Sequence, residues 1–397
     1  MYPVIKSHTI IHPLGFSTCE VFDSIVAGRS GLKEIRRDFL DKPVFAACFS
    51  EEQNRRLELL CPFEGWNRFE RLIWLSGKDV LEKASITLDD KVLFIVATTK
   101  GGIEDIDHNP DNLIIHSSVK KVIDKLPILG GMGNREQGMG NLHSQFPIPQ
   151  TPFPPVYIIS NACISGLSAI IAGKRFLETQ DYDYVVIIGA DTVNDFVLSG
   201  FNSLFALSDQ PCKPFDKARN GINLGEGAAA IVLHKTANIN DICLTGGAIT
   251  NDANHISGPS RTGNELAEAI KKAVKEANNN ALEDKKFDFL SAHGTATIYN
   301  DEMECKAFVE ARVQDIPIHS LKPYVGHTLG AAGVLESVIC IESLVRNILI
   351  PSIGYSECGT SDKLNIQTKL ETKEMNRFIK TMSGFGGCNA AICFEKK

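Results

Sequence analysis

The stretch S-N-A-C-I-S-G-L-S-A-I-I-A-G, residues 160–173, follows an apolar run, V-Y-I-I (156–159), and sets one cysteine among mostly small residues. The run reads as a strand. Gly166, Ser168, Ala169, Ala172 and Gly173 follow at roughly helical spacing, so Cys163 is expected where a strand hands over to a tightly packed helix. A helix N-terminus offers free N–H groups and a positive dipole end, which stabilise a thiolate and lower a thiol pKa from about 8.5. That is a suitable position for a nucleophile. Buried cysteine is also a common small core residue, so the rest of the chain must decide between the two.

Composition narrows the field. At 397 residues the chain is too long for one small core, and its length suits two to three domains or one large duplicated α/β unit. Hydrophobic residues make up 43% and charged residues 22%, the balance of a globular protein rather than a disordered one. No apolar run reaches the roughly 18 residues of a membrane span. The opening M-Y-P-V-I-K-S-H lacks the charged start of a signal peptide, so a cytoplasmic location is expected. The 11 cysteines are odd in number and scattered without a C-x-x-C pair, which argues against a disulfide framework and against a zinc site. A net charge of −7 argues against nucleic acid as a partner.

Strand-like runs alternate with helical patterns along the chain. The strand candidates are 91–99, 156–160, 184–190, 228–233 and 287–293; residues 67–84 and 264–277 have helical periodicity. This order predicts an α/β fold with parallel-rich, buried sheets. Residues 101–155 are the least regular, rich in turn chemistry such as H-N-P-D-N and P-I-P-Q-T-P-F-P-P. The glycines at 130–140 fit neither a dinucleotide fingerprint nor a phosphate loop. A long-range echo links C-I-S-G-L-S-A-I-I-A-G with H-T-L-G-A-A-G-V-L-E-S-V-I (327–339). Each is a reactive side chain opening a helix of small residues, and two related halves facing each other would bring both to one place.

Two histidines stand in unusual company. His293 ends a strand-like run in S-A-H-G-T-A-T, and His327 lies in K-P-Y-V-G-H-T-L-G-A-A-G. Each is followed by small residues and threonine at an expected strand end, where α/β proteins gather site residues.

These segments, with the late G-F-G-G-C-N-A-A (384–391) and P-F-D-K-A-R-N-G-I-N-L-G-E-G-A-A (214–229), resemble the ordered signatures of the β-ketoacyl-acyl-carrier-protein synthases. The likeness begins at P-L-G-F-S-T (13–18) and spans nearly the whole chain. It implies a thiolase-like fold of duplicated α/β/α/β/α layers in two related halves. Residues 1–235 would bear the nucleophile and residues 236–397 the two histidine motifs. The activity implied is acyl transfer followed by decarboxylative Claisen condensation with malonyl-acyl-carrier protein, in fatty-acid or polyketide and polyene synthesis. No tightly bound cofactor is implied, because the substrates ride on the carrier's phosphopantetheine. The partners implied are acyl carrier protein and a second copy of the chain, with a ketosynthase-like heterodimer partner as the other possibility.

The resemblance also assigns roles. Cys163 would accept the acyl group as a thioester, His293 and His327 would stabilise the enolate, and Lys322 would be the family's buried lysine with Glu304 as its carboxylate partner. The backbone N–H groups of Cys163 and Phe385 would form an oxyanion hole, with Phe385 also acting as a gate. Thr295 and Thr297 would hold the pantetheine arm, Arg68 and Arg71 would dock the carrier, and Asp216, Arg219 and Glu226 would form a structural charge network. No catalytic metal is expected.

The sequence departs from the family at Ser383, where a second phenylalanine is common, which places an aromatic-pair gate in question. Glu336 fits one ligand of the family's monovalent cation while the other positions differ. Three other readings stand beside the synthase. A non-catalytic chain-length scaffold usually lacks the cysteine. A thiolase would use a late cysteine such as Cys388, and a starter-type synthase pairs cysteine with histidine and asparagine.

Overall fold

The computed structural model describes residues 2–87, 90–106, 113–127, 154–179, 181–236, 241–278 and 286–397. In chain order the first part contains β1 (Val4–Ile11), α1 (Thr18–Val26), β2 (Lys33–Ile35), β3 (Val44–Ala47), α2 (Glu51–Leu60), α3 (Arg68–Ala84) and β4 (Val92–Ala97). It continues with α4 (Ile115–Ile123), β5 (Val156–Ile159), α5 (Ser165–Thr179), β6 (Tyr184–Asp191), α6 (Asp195–Ser203), β7 (Leu224–Gly225) and β8 (Gly227–His234). The second part contains β9 (Ile242–Asn251), α7 (Asn264–Ala277), β10 (Phe289–Ser291), α8 (Ile298–Glu310), β11 (Ile318–His319) and α9 (Lys322–Val325). The 3₁₀ turn Leu329–Ala331, α10 (Ala332–Arg346), β12 (Ile348–Leu349), β13 (Glu371–Thr372), β14 (Arg377–Gly384) and β15 (Cys388–Lys396) complete it.

Among the described residues the main strands align in the order β11-β10-β14-β15-β9-β1-β8-β6-β4-β5. Numbered within its own part, each five-strand block has the same order, 3-2-4-5-1. Each also has the same directions: two parallel pairs followed by two antiparallel ones. The sheets are therefore evenly mixed rather than parallel-rich, because the last strand of each block returns antiparallel. The blocks meet at one paired position, Val4 opposite Cys243.

Alternation along the strands explains the layering. Leu93, Ile95, Val185 and Ile187 face a central core with Ile392 and Phe394 of the other block; their neighbours Phe94, Val96, Val186 and Ile188 face an outer core under α3 and α4. Ile379, Ala391 and Cys393 face a third core under α7 and α8. With both faces covered, the strands read as near-continuous apolar runs. The result is the α/β/α/β/α stack, with α5 and α10 as the middle layer.

Those two helices occupy equivalent places, each lying between the third and fourth strands of its block, so the echo between residues 163–173 and 327–339 has a structural counterpart. The small residues have a steric cause. A Cβ on Gly166 would lie 2.7 Å from Val334 N, and one on Gly333 would lie 2.4 Å from Leu167 N. The backbones therefore cross where neither residue can carry a side chain. Gly333→Ala is expected to lower the unfolding free energy by about 1–3 kcal/mol through overpacking. Gly200→Ala, which meets open space on α6, is expected to be neutral or stabilising by about 0.5–1 kcal/mol. Denaturant midpoints test both, and equal midpoints for the two variants would contradict the steric account.

Among its described residues, the irregular segment 101–155 contains a short 3₁₀ turn (Ile103–Asp105) and a helix that are absent from the sequence reading. α4 buries Val119, Val122 and Ile123 under β4 and β5 and offers Ser118 and Lys121 to the buried Glu70 of α3. Residues 107–112 and 128–153, including the glycine-rich run, lie outside the described residues.

Candidate active site

Cys163 stands in the turn between β5 and α5. Asn161 N donates to Ser165 Oγ at 2.8 Å and Ser165 Oγ donates to Ala162 O at 2.6 Å, tightening the turn. Ala162 adopts φ +43, a left-handed conformation that costs a non-glycine residue roughly 1–2 kcal/mol. The sharp corner leaves Cys163 8% exposed in the wall of a cavity of about 560 Å³. His293 and His327 line the same cavity. One ligand atom from each of the three lies within 4.8 Å of the others, and the imidazoles meet edge to face at 5.0 Å.

Separate devices hold each histidine. The main chain at His327 is locked to β7: its N–H donates to Asn223 O at 2.7 Å and its carbonyl accepts from Gly225 N at 2.9 Å. His293 follows β10, and α8 clamps the loop that begins there. Glu304 accepts from the N–H groups of His293 and Gly294 at 2.8 and 2.7 Å, while Asp301 accepts from Thr295 N and Phe215 N. Burial raises both carboxyls, Glu304 to about 7 and Asp301 to about 6.

This corrects the expected Lys322–Glu304 pair. Lys322 Nζ instead bonds Glu336 on α10, and Glu336 also lies 2.7 Å from Lys380 on β14. All three side chains are fully buried. Glu304 serves the main chain of the histidine loop, which a carboxylate at that spacing on α8 reaches and Lys322 does not require.

The electrostatics follow from burial and this lysine cluster. Both imidazoles are held well below their ordinary pKa, first by burial and then by the Lys322 ammonium, so they are neutral. Among the described residues, both ring nitrogens of His327 and Nδ1 of His293 have no partner. They are available for a ligand, since unpaired buried polar atoms are otherwise costly. The thiol contradicts the expectation of a lowered pKa: burial pushes Cys163 up to about 11, and Lys322, Lys100 and the Phe385 N–H only partly offset it. Desolvation outweighs the helix terminus. Cys163 alkylation by iodoacetamide is therefore expected to rise steadily from pH 7 to 10, roughly tenfold per unit; a plateau near pH 8 would show a thiolate already formed.

The remaining expected residues divide. Thr295 and Thr297 line the cavity with their hydroxyls 2.9 Å apart. Phe385 is 38% exposed at the cavity wall and stacks on Phe201 of α6 at 5.9 Å. A pair of aromatic rings thus exists despite Ser383, with the second ring coming from a different element; Ser383 also lines the cavity and donates to Asn389. Arg68 and Arg71 do lie on α3, each paired with carboxylates of this chain and largely covered. Arg68 is spent on Glu104 and Glu226 and Arg71 on Glu58, with side chains 22% and 16% exposed. Glu226 therefore belongs with Arg68, while Asp216 accepts from the N–H groups of Ala218, Ser356 and Glu357 and Arg219 donates to main-chain carbonyls.

Lys380, Asp301 and Phe201 were missed by the sequence reading. Only Lys380 had a signal, a charge in the middle of the otherwise uncharged run F-I-K-T-M. Among the described residues, the Cys163, His293 and His327 trio is the cluster whose spacing suits one metal ion. Its sulfur and imidazoles also make a nucleophile beside two neutral hydrogen-bond donors, the equipment for acyl transfer and enolate stabilisation.

Residues 154–238 match the beta-ketoacyl synthase N-terminal domain and residues 242–356 the beta-ketoacyl synthase C-terminal domain. The chain is similar to 3-oxoacyl-[acyl-carrier-protein] synthase 2 of Coxiella burnetii, 26% identical over 99% of this chain and 98% of that protein. It is 30% identical to the tetracenomycin polyketide synthase ketoacyl synthase alpha subunit of Streptomyces glaucescens, over 61% of this chain and 60% of that one. In structure it resembles the ishigamide ketosynthase/chain length factor, with a TM-score of 0.82 at 22% identity, covering 100% of this chain and 99% of that one.

Proposed function

This chain belongs to the beta-ketoacyl synthase family, and from that premise we propose that it condenses an acyl group held on Cys163 with malonyl-acyl-carrier protein to give 3-oxoacyl-acyl-carrier protein. The observation that carries the reading is the buried convergence of Cys163, His293 and His327 with free imidazole nitrogens.

The steps follow from the geometry. Cys163 sulfur attacks the carrier-bound thioester, its proton passes to the departing carrier thiol, and the acyl group stays on the enzyme. Malonyl thioester then enters beside the imidazoles. Its carboxylate leaves as carbon dioxide, the bonding electrons move onto the thioester oxygen, and neutral His293 and His327 donate hydrogen bonds to that enolate. The enolate carbon attacks the acyl carbonyl, whose oxyanion is held by the N–H groups of Cys163 and Phe385. Collapse breaks the carbon–sulfur bond and returns the Cys163 thiolate, which takes a proton from water. Lys322 is a positioning residue: burial is the main cause of the neutral imidazoles, and the Lys322 positive field adds to it.

Thr295 and Thr297 hold the pantetheine arm where it crosses the cavity. Acyl carrier protein supplies both substrates, so no resident cofactor is needed. β5 ends the sheet, and Tyr157 on it is 48% exposed. This edge fits pairing with a second ketosynthase-like chain, either a copy of this one or a heterodimer partner, in a cytoplasmic enzyme. No described helix is long and apolar enough to cross a membrane.

A scaffold subunit has no use for an assembled nucleophile and histidine pair, which favours catalysis. Cys388, the thiolase-like candidate, does not line the cavity; its thiol donates to Asn161 Oδ1 at 2.9 Å. Intact-mass analysis with a panel of acyl-carrier thioesters tests the reading. One acyl mass per chain is expected, mapped to the peptide containing Cys163 and absent in Cys163→Ala. Label on Cys388 would overturn it.

A further inference from the structure

Lys380 has no role in the chemistry just described, yet its surroundings are unusually complete. Its Nζ donates to Ala292 O at 2.9 Å, Thr381 O at 3.0 Å and Ser291 O at 3.3 Å. That accounts for the three protons of an ammonium. A fourth oxygen, Glu336 Oε2, lies 2.7 Å away as an ion pair. The side chain is fully buried. Three main-chain carbonyls and a carboxylate therefore converge on one positive charge, an all-oxygen shell of the kind that replaces the hydration of a bare monovalent cation. Glu336 is also the residue that fits a ligand of the family's monovalent cation, but both of its oxygens are already held by ammonium groups, one from Lys322 and one from Lys380. The residues present do not fit a free ion there.

The geometry points to Lys380 as a tethered replacement for a bound monovalent cation, seated in an oxygen cage and positioning both His293 and Lys322.

The connections are short. Ser291 and Ala292 immediately precede His293, and Lys380 pairs with Ser291 across β10 and β14. One ammonium thus pins the strand end that carries the histidine. Its other contact steadies Glu336 on α10, the partner of Lys322. Burial pulls the Lys380 pKa down while Glu336 opposes the shift, and the carbonyl cage favours the charged form further. A tethered charge cannot be washed out or exchanged, so the wild-type protein should ignore the identity of the salt cation.

The test measures melting temperature and malonyl-carrier decarboxylation at fixed ionic strength in potassium, ammonium or choline chloride. Only the second readout rests on the proposed function. Wild-type protein is expected to give equal values in all three salts. Lys380→Ala opens the cage; its melting temperature should drop in choline and recover in potassium or ammonium, with decarboxylation about tenfold lower and rescued in parallel. Lys380→Met fills the space with an uncharged chain and should be impaired without rescue. Wild-type dependence on a small cation would overturn the inference. So would Lys380→Ala behaving alike in all three salts, including failure to fold in each. If the melting pattern holds while wild-type protein shows no decarboxylation, the inference stands and the proposed activity falls.

Discussion

Cys163→Gln is expected to lower condensation by at least about a thousandfold while malonyl-carrier decarboxylation is retained or raised. The glutamine carboxamide lies about where an acyl thioester would sit, so the variant mimics the loaded enzyme without being able to exchange an acyl chain. Both imidazoles stay in place, neutral and unpartnered. Enolate stabilisation requires positioned donors and no covalent intermediate. Adding His327→Ala to Cys163→Gln should cost decarboxylation about a further hundredfold, the typical loss for one oxyanion donor. By the same division of labour, His293→Ala should impair decarboxylation more than self-acylation. Carbon dioxide and condensed product are measured separately. A single variant that is folded and binds carrier but releases no carbon dioxide would show that the two half-reactions are not separable.

Glu336→Gln is expected to be the most damaging change to stability, at about 3–5 kcal/mol. It removes the one carboxylate shared by two fully buried ammonium groups, and total stabilities are only about 5–15 kcal/mol. Glu304→Gln provides the contrast. Burial lifts that carboxyl to about 7, so near neutral pH it is already partly protonated, and its donors, the main-chain N–H groups of His293 and Gly294 and the Asn300 amide, are ones that an amide oxygen can partly satisfy. Denaturant midpoints at pH 7 compare the two. Equal losses would mean that the ammonium groups around Glu336 are not charged as described.

Much of this was legible in the residues. The runs at 91–99, 184–190 and 228–233 become β4, β6 and β8, and the periodic segments 67–84 and 264–277 become α3 and α7, because strands covered on both faces and helices covered on one carry clear patterns. Strands β1 and β14 are less legible. β1 buries Ser7 and Thr9 within its length, and β14 carries Lys380 where an apolar side chain is the ordinary choice. In β14 the polarity is met by main-chain carbonyls of a strand far away in sequence, which no local pattern reveals.

The candidate site shows the same boundary. Cys163, His293 and His327 were identifiable from their company, and the structure brings them together. Which buried glutamate faces Lys322 was not identifiable, since Glu304 and Glu336 both lie on helices near a histidine motif and only the relative placement of α8 and α10 separates them. The arginines of α3 were placed on the right helix, but their exposure depends on Glu58, Glu104 and Glu226, which come from three other segments. The thiol pKa was misjudged for a related reason. A helix end can be read from sequence, whereas the depth at which it is buried cannot.

The repeated 3-2-4-5-1 blocks, joined at a single paired position, carry one more implication. Two identical subunits related by a twofold axis must present the same side chain at both symmetric helix mouths, sulfur facing sulfur or imidazole facing imidazole. A continuous chain through β8 and β9 lifts that constraint. One mouth is free to become a nucleophile while its mirror position becomes a hydrogen-bond donor, and neither change has to be tolerated in duplicate. Asymmetric chemistry thus becomes accessible to a scaffold whose backbone keeps its symmetry.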